Sequence, residues 1–569
     1  MYWLTRTPNR LAGTMCPTSC SAIDASSTTT NTSTPTSAST APPPRLRGTA
    51  AGPPRAGATG PSPVARTGYA RGRHRRRGTW ERAERSTRTA GRRTATTPVT
   101  GRRRRPWWPG RCATRHSDGR YVGSVHDHDG PAPTTDPLRR VLWWDRLLAD
   151  DPGAAPPRPP LDGDTTADVV VVGAGLTGLW AAYYLLDADP SLDVLVVDAG
   201  RSGAGTAGRS TGAAPAGRPA AVAHAPAAER ELRAALRDSV VELGGVLAAE
   251  EIDAGFLYGG LVRLARTGPA VDRLAADAAA APQRGDEVHL LDPVAAGRYV
   301  HADGVLAATW TPDAAHVDPL RLVRGLAHVV ELRGGRVAEH TRALRVAPRA
   351  VVTDQGTVRA RHVVVTGGAL AVPGSPVPVV RRPVRLLATG ALPGDVWDAL
   401  GLRTGVTVVE DRNRPLTLVR TADDRLVAGG APGVPERVPQ LLPALHDHAV
   451  RHTWDAAVTT AADGRRTVGL DRGTGLAWSV GGGPDGHDGA AVTNLAGRVL
   501  ADLLTGTESP LVGLPWVATA PAAGHRPGVR TAVPRAAVRG AAAAWADRVE
   551  ERRGRTSAPA ERVLDATGG

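Results

Sequence analysis

Six residues carry the first chemical signal: Gly173-Ala174-Gly175-Leu176-Thr177-Gly178, a G-x-G-x-x-G run. In such a run Gly173 permits a tight turn and Gly175 lets the backbone approach a pyrophosphate. Gly178 lets the following helix pack closely on the preceding strand. A helix opening at this turn adds free N–H groups and a positive dipole end, which suit an anion. A carboxylate supports the same chemistry. Asp198 lies 20 residues beyond Gly178, at the end of a second predicted strand, DVLVV over 193–197, the offset expected of an acid that holds ribose hydroxyls. Together these residues predict dinucleotide binding.

The elements that must position them are legible around them. Residues 169–186, VVVVGAGLTGLWAAYYLL, are 18 residues without a charge, long enough to raise the question of a membrane span. Three glycines, the flanking Asp168, Asp187 and Asp189, and the lack of a Lys/Arg bias argue against one. The four valines predict a buried parallel strand instead, and Leu179, Ala182, Tyr183 and Leu186 fall on one face of the helix that follows. Strand and helix patterns alternate from Asp168 to about Leu511, which predicts a mixed α/β body. Ahead of it, LRRVLWWDRLL (138–148) has helical spacing and runs into a Pro-rich linker; behind it, 537–555 reads as a solvent-facing helix before a polar tail.

Charge separates the chain into parts. Of 569 residues, the first 130 hold 23 Arg against six acids, a net of +17, whereas the whole chain is +15. The main body is therefore slightly acidic, and the basicity does not make it a nucleic-acid binder. Residues 1–130 lack a sustained apolar period and predict a disordered Arg/Ser/Thr/Pro-rich extension. Two readings of that segment stay open: a basic arm for nucleic acid or anionic lipid, or a non-native upstream start. It lacks the apolar core of a secretory signal. Every basic residue other than histidine is Arg, a skew that reads as codon pressure and weakens any argument from Arg abundance.

The three cysteines, Cys16, Cys20 and Cys112, all lie in the leading segment, which removes disulfides and thiol nucleophiles from the body and fits a cytoplasmic location. Cys16, Cys20, Cys112 and His116 do not make a convincing zinc set across low-complexity sequence, and no metal is expected. His446, His448 and His452 read as an exposed helix face, and Trp310, Trp397 and Trp454 as packing residues. Arg201 reads as a surface group.

Beyond the first motif, the stretch ADVVVVGAGLTGLWAAYYLLDADPSLDVLVVDAG and several later ones resemble the FAD-dependent D-amino-acid-oxidase-type superfamily, in its bacterial gamma-glutamylputrescine oxidoreductase-like subgroup. The likeness runs from about Leu138 to about Arg555. It implies a Rossmann-like FAD-binding domain (about 166–258, 314–370 and 464–512) and an antiparallel-sheet substrate domain (about 259–313 and 371–463). These make up a body over 131–515, with a C-terminal helical tail over 516–569. Asp198 and Ala199 close the second strand. GAGTAGRSTG resembles the family's pyrophosphate loop, which implies roles for Gly208, Arg209 and Ser210. The segment EHTRA places Ala343 where the family's backbone touches adenine, and GTVRARHVVVTGGA places Gly367 and Gly368 at a turn near the cofactor. His316 falls in the family's Pro-containing turn segment. The closing stretch TVGLDRGTGLAWSVGGGPDGHDGAAVTNLAGRVLADLL places Asp488, Gly489 and Ala490 at a glycine loop, before a helix from about Val492. A helix N-terminus there would stabilise negative charge on a reduced flavin.

The resemblance thus implies non-covalently held FAD and oxidation of a C–N bond in an amine or amino acid, by hydride transfer to flavin N5. Oxygen or an electron carrier would accept the electrons, and neither membrane nor nucleic acid would be a partner. No residue stands out as catalytic. Three stretches depart from the family pattern. Arg209-Ser210-Thr211-Gly212 replaces the usual Arg-Asn-Gly-Gly, Gly429-Gly430 lacks a following Arg-Gly, and VGGGPDGHDG is about two residues longer than the matching loop. They keep two alternatives open: a flavin dehydrogenase, or an impaired FAD-binding protein with a basic arm.

Overall fold

The computed structural model describes residues 137–153, 155–216, 226–462, 465–481, 489–519 and 529–566. The expectations about 1–130 and about Asp488 fall outside these residues.

Branched side chains favour extended backbone, and the valine run forms the strand Thr165–Val172, whose last four residues are buried. It lies inside a nine-stranded sheet, parallel to Val194–Val197 on one side and to Thr357–Thr366 on the other. Val172 is level with both Val197 and Val365, so the three turns that follow leave the sheet along one edge. Arg336–Ala338 and Leu476–Val480 extend the parallel part outward. Thr467–Asp471 and the hairpin Ala343–Ala347/Ala350–Thr353 add antiparallel strands.

Leu176–Ala188 is apolar on every side, which suits a helix covered on more than one face. One face packs on the sheet and another meets the helix Ala490–Thr505. The expectation of a single buried face was too narrow: Trp180, Ala181 and Leu185 are buried along with Leu179, Ala182, Tyr183 and Leu186. The second helix comes so close that a Cβ on Gly497 would stand 2.4 Å from Trp180 Cβ.

A second sheet has eight strands, in the order Val450–Ala461, Val379–Thr389, Leu426–Gly430, Leu416–Arg420, Thr407–Glu410, Leu261–Ala265, Ala307–Thr311 and His289–Leu291. Its neighbours are antiparallel except Leu261–Ala265 beside Thr407–Glu410. The short strand Val517–Ala518, parallel to Thr467–Asp471, is the ninth of the first sheet, and a two-stranded ribbon, Ala213–Pro215 with Ala314–His316, completes the strand inventory of the described residues. The mixed α/β class expected from the sequence, a Rossmann-like parallel sheet with an antiparallel one, is the observed class.

Three expectations are corrected. The C-terminal helix Val529–Arg553 is not simply solvent-facing: Ala542, Ala543, Ala546, Asp547 and Glu550 are buried, while Trp545 on the other side is exposed. His446, His448 and His452 do not share a helix. They lie past a short turn, in a loop and on the strand Val450–Ala461, and His452 Nε2 sits 3.2 Å from the Asp145 carboxylate. Arg201 is half-buried, stacked 5.1 Å over the Trp144 ring and bonded to the Ala155 carbonyl. Among the described residues, no helix is long and apolar enough to cross a membrane, and no cluster of acids, His or Cys could hold a metal.

Candidate cofactor site and cavity

The glycine turn has the geometry its spacing requires. Gly173 has φ +110°, a left-handed conformation that L side chains rarely adopt. A Cβ on Gly178 would stand 2.0 Å from the Gly173 carbonyl oxygen, so the helix can approach only without one. Gly175 is different: a Cβ there would meet no protein atom within 4 Å. It caps the helix Leu176–Ala188 without a side-chain hydrogen bond, so the helix start has N–H groups that no cap satisfies. An uncapped helix start beside an empty approach suits a pyrophosphate.

Asp198 closes this turn. Its carboxylate accepts from Ala174 N–H and from Gly200 N–H, each at 2.8 Å. Burial pushes its carboxyl up, and those two N–H groups oppose the shift. Ala199 beside it is exposed. The Asp198 carbonyl accepts from Thr341 N–H at 2.7 Å, which brings the strand starting at Ala343 to this end of the sheet. At the neighbouring strand end, Gly367 (φ +51°) and Gly368 form a turn where a Cβ on either would meet nothing within 4 Å.

The loop 203–212 folds over on itself. Gly208 sits so close to the Gly203 carbonyl that a Cβ would stand 2.2 Å from its oxygen. Three indole N–H groups grip the loop's backbone. Trp143 donates to the Ser210 carbonyl at 2.8 Å, Trp454 to the Arg209 carbonyl at 2.9 Å, and Trp144 to the Gly203 carbonyl at 3.2 Å. The expectation that Trp454 merely packs is therefore incomplete. Past the loop, the strand Ala213–Pro215 runs beside Ala314–His316 and abuts the closing helix. That helix starts at Ala490, two residues earlier than expected, and a Cβ on its cap Gly489 would stand 2.6 Å from the Ala213 carbonyl oxygen. Gly489 thus abuts the strand that directly follows the loop 203–212.

Two residues were missed or undervalued. Glu339, buried at the end of the third parallel strand, accepts from Ser202 N–H at 2.9 Å, Arg158 N–H at 3.0 Å and the Arg324 guanidinium at 2.9 Å. Burial pushes its carboxyl up, but the N–H groups of Arg158 and Ser202 and the charge of Arg324 hold it below the usual range. Its signal was an acid directly after a strand, the pattern already read at Asp198. His316 is buried beside Gly212, whose Cβ would stand 3.0 Å from Nε2. Burial pushes its imidazole down to about 4, so it is neutral at neutral pH.

Beside Ala213, Pro215 and Ala216, a cavity of about 550 Å³ opens under the eight-stranded sheet. Nine arginines and three aspartates line it, which gives it a positive lining. Several of those arginines are held from behind: Arg263 by Asp411, Arg412 by Glu410, and Arg414 by Asp547.

A glycine turn with room for a pyrophosphate at the end of a parallel sheet, closed by an acid, marks this as a dinucleotide-binding fold. Residues 168–503 match the family model DAO, FAD dependent oxidoreductase. The chain belongs to that family, and its cofactor is FAD. Gamma-glutamylputrescine oxidoreductase of Escherichia coli (strain K12) is 32% identical over 241 residues, 39% of this chain and 55% of that protein. The match thus spans about half the length of that curated relative. Among solved structures, glycine oxidase from Geobacillus kaustophilus superposes with a TM-score of 0.53 at 20% identity, over 61% of this chain and 96% of that one. L-proline dehydrogenase from P. horikoshii does so with 0.51 at 18% identity, over 62% and 96%. At these identities the structural likeness concerns the fold alone.

Proposed function

We propose that the chain oxidises a C–N bond of an amine or amino acid. Bound FAD would supply the redox chemistry, accepting at N5 a hydride from the carbon beside the amine; the imine formed then hydrolyses in water. The protein's part is to bind, orient and exclude water. Gly173, Gly175 and the N–H groups of Leu176, Thr177 and Gly178 hold the pyrophosphate, and Asp198 holds a ribose. Loop residues Gly208, Arg209 and Ser210 cover the cofactor, with Ala343 on the adenine side and Gly367 and Gly368 at the neighbouring turn. The start of the closing helix, Gly489 and Ala490, faces charge that develops on the reduced ring. The division into an FAD domain (about 166–258, 314–370 and 464–512) and a substrate domain (about 259–313 and 371–463) is part of the same reading.

The observation that carries it is the cavity beside Ala213 and Pro215, on the side where the loop and the closing helix meet. Its positive lining favours an amine that carries a carboxylate over a bare polyamine. The relative from Escherichia coli, a gamma-glutamylputrescine oxidoreductase by name, supports the substrate class. The test is anaerobic titration of the purified yellow protein with a panel of amines and amino acids. Bleaching of the flavin by carboxylate-bearing amines is expected, and oxygen is then admitted to see whether it alone restores the colour. A protein with bound FAD that no amine bleaches would overturn the reading.

A further inference from the structure

The family match ends at residue 503, yet the cavity wall does not. Arg539, Gly540 and Ala543 of the helix Val529–Arg553 line the cavity, and so does Leu564 of the helix Ala558–Ala566. The pair is tied together by Arg539, which donates to the Leu564 carbonyl at 3.1 Å. Short side chains let the first helix lie close, with Ala542, Ala543 and Ala546 buried.

Buried acids on this helix fix it to one turn of the second sheet. Asp547 accepts from Asn413 N–H at 2.9 Å and from Arg414 Nε–H at 3.0 Å. Glu550 accepts from Asn413 Nδ2–H at 3.1 Å and from Arg273 at 3.0 Å. Arg412, Asn413 and Arg414 themselves line the cavity, so the same turn forms one wall and anchors the next. Breaking either side would strand a buried charge, which is why the helix should stay docked. Ala541, Trp545 and Arg548 are exposed on the far face and Gly540 is exposed where it lines the cavity, so the helix forms the cavity's solvent-side rim.

We infer that this C-terminal helix is a specificity wall, and that Arg539 and Gly540 set the size and charge of the part of a carboxylate-bearing substrate that reaches it. The inference rests on the reading of this cavity as the substrate site. Gly540 is the informative position. It stands in helical backbone, and a Cβ added there would meet no atom within 4 Å, so a large side chain can be accommodated without displacing the fold.

The experiment uses the full-length FAD-loaded protein, with Gly540→Trp, Gly540→Ala as control, and the undocking double variant Asp547→Asn/Glu550→Gln. Two readouts are taken: KM and kcat over amino acids of increasing side-chain length, and quenching of the bound flavin's fluorescence by acrylamide. Gly540→Trp should raise KM for the longest substrates by about tenfold or more, leaving kcat for the shortest near wild type. It should also lower the quenching constant. The undocked variant should raise that constant by about twofold or more, as expected of a wall that opens locally. Unchanged KM values across the series, together with unchanged quenching in both variants, would overturn the inference. If no amino acid bleaches even the wild type, the substrate reading fails, while acrylamide, which needs no turnover, still decides whether the helix shields the flavin.

Discussion

The three indole bonds to the loop 203–212 lead to a quantitative prediction. Replacing Trp143 and Trp454 with Phe keeps most of each ring's volume but removes the N–H groups that satisfy the Ser210 and Arg209 carbonyls. Both bonds are partly buried, so each loss should cost about 1 kcal/mol. If that cost falls on the closed loop, FAD binding weakens by about 2 kcal/mol in the double variant, a rise in Kd of about 30-fold. Trp478→Phe is the matched control. Trp478 is just as buried, and its N–H donates at 2.8 Å to Thr467 Oγ1 within the sheet, not to the loop. The assay is FAD titration of apoprotein, read by quenching of flavin fluorescence, alongside thermal melting without FAD. A Kd within about twofold of wild type while the apoprotein melts lower would refute the argument. The indoles would then hold the fold and not the cofactor loop.

Other expectations follow from the same geometry. Gly175→Ala should leave the apoprotein's melting temperature unchanged and weaken FAD, whereas Gly178→Ala should destabilise the apoprotein itself, because only the second Cβ collides with backbone; melting curves with and without FAD separate the two. Asp198→Asn should weaken FAD by about tenfold or more, since an amide cannot accept both N–H groups and still orient toward a ribose; equilibrium dialysis measures it. Glu339→Gln leaves Arg324 without its buried counter-charge, while Arg158 keeps Glu331, and should cost about 3 kcal/mol in urea unfolding. His316 titrates near 4 when folded and near 6.5 when unfolded, so the unfolded chain takes up its proton first as pH falls. Its contribution to stability is therefore intact above about pH 6.5 and lost toward about pH 4, by up to roughly 3 kcal/mol. In His316→Gln the slope of stability against pH over that window should flatten.

Much was legible because it is local. The valine run, the three glycines and the acid 20 residues on lie within about thirty residues of one another, and each has a short-range cause: a branched side chain, an absent Cβ, a strand end. The helix at Ala490 and the alternation that gives the α/β class are of the same kind. The histidines of 446–452 misled because helical spacing was assumed where a turn and a strand follow, and spacing says nothing without the element beneath it.

By itself, then, the sequence determined a nucleotide turn, its strand and helix, and the class of the body. Tertiary structure decided what surrounds that turn. Trp143 reaches the loop across 67 positions and Trp454 across 245, Glu339 joins segments up to 181 positions apart, and the helix after 529 closes a cavity built mainly from residues before 470. No local period encodes such pairings. They follow from how two sheets and their covering helices pack, where close approach is set by missing side chains and buried charges must find partners.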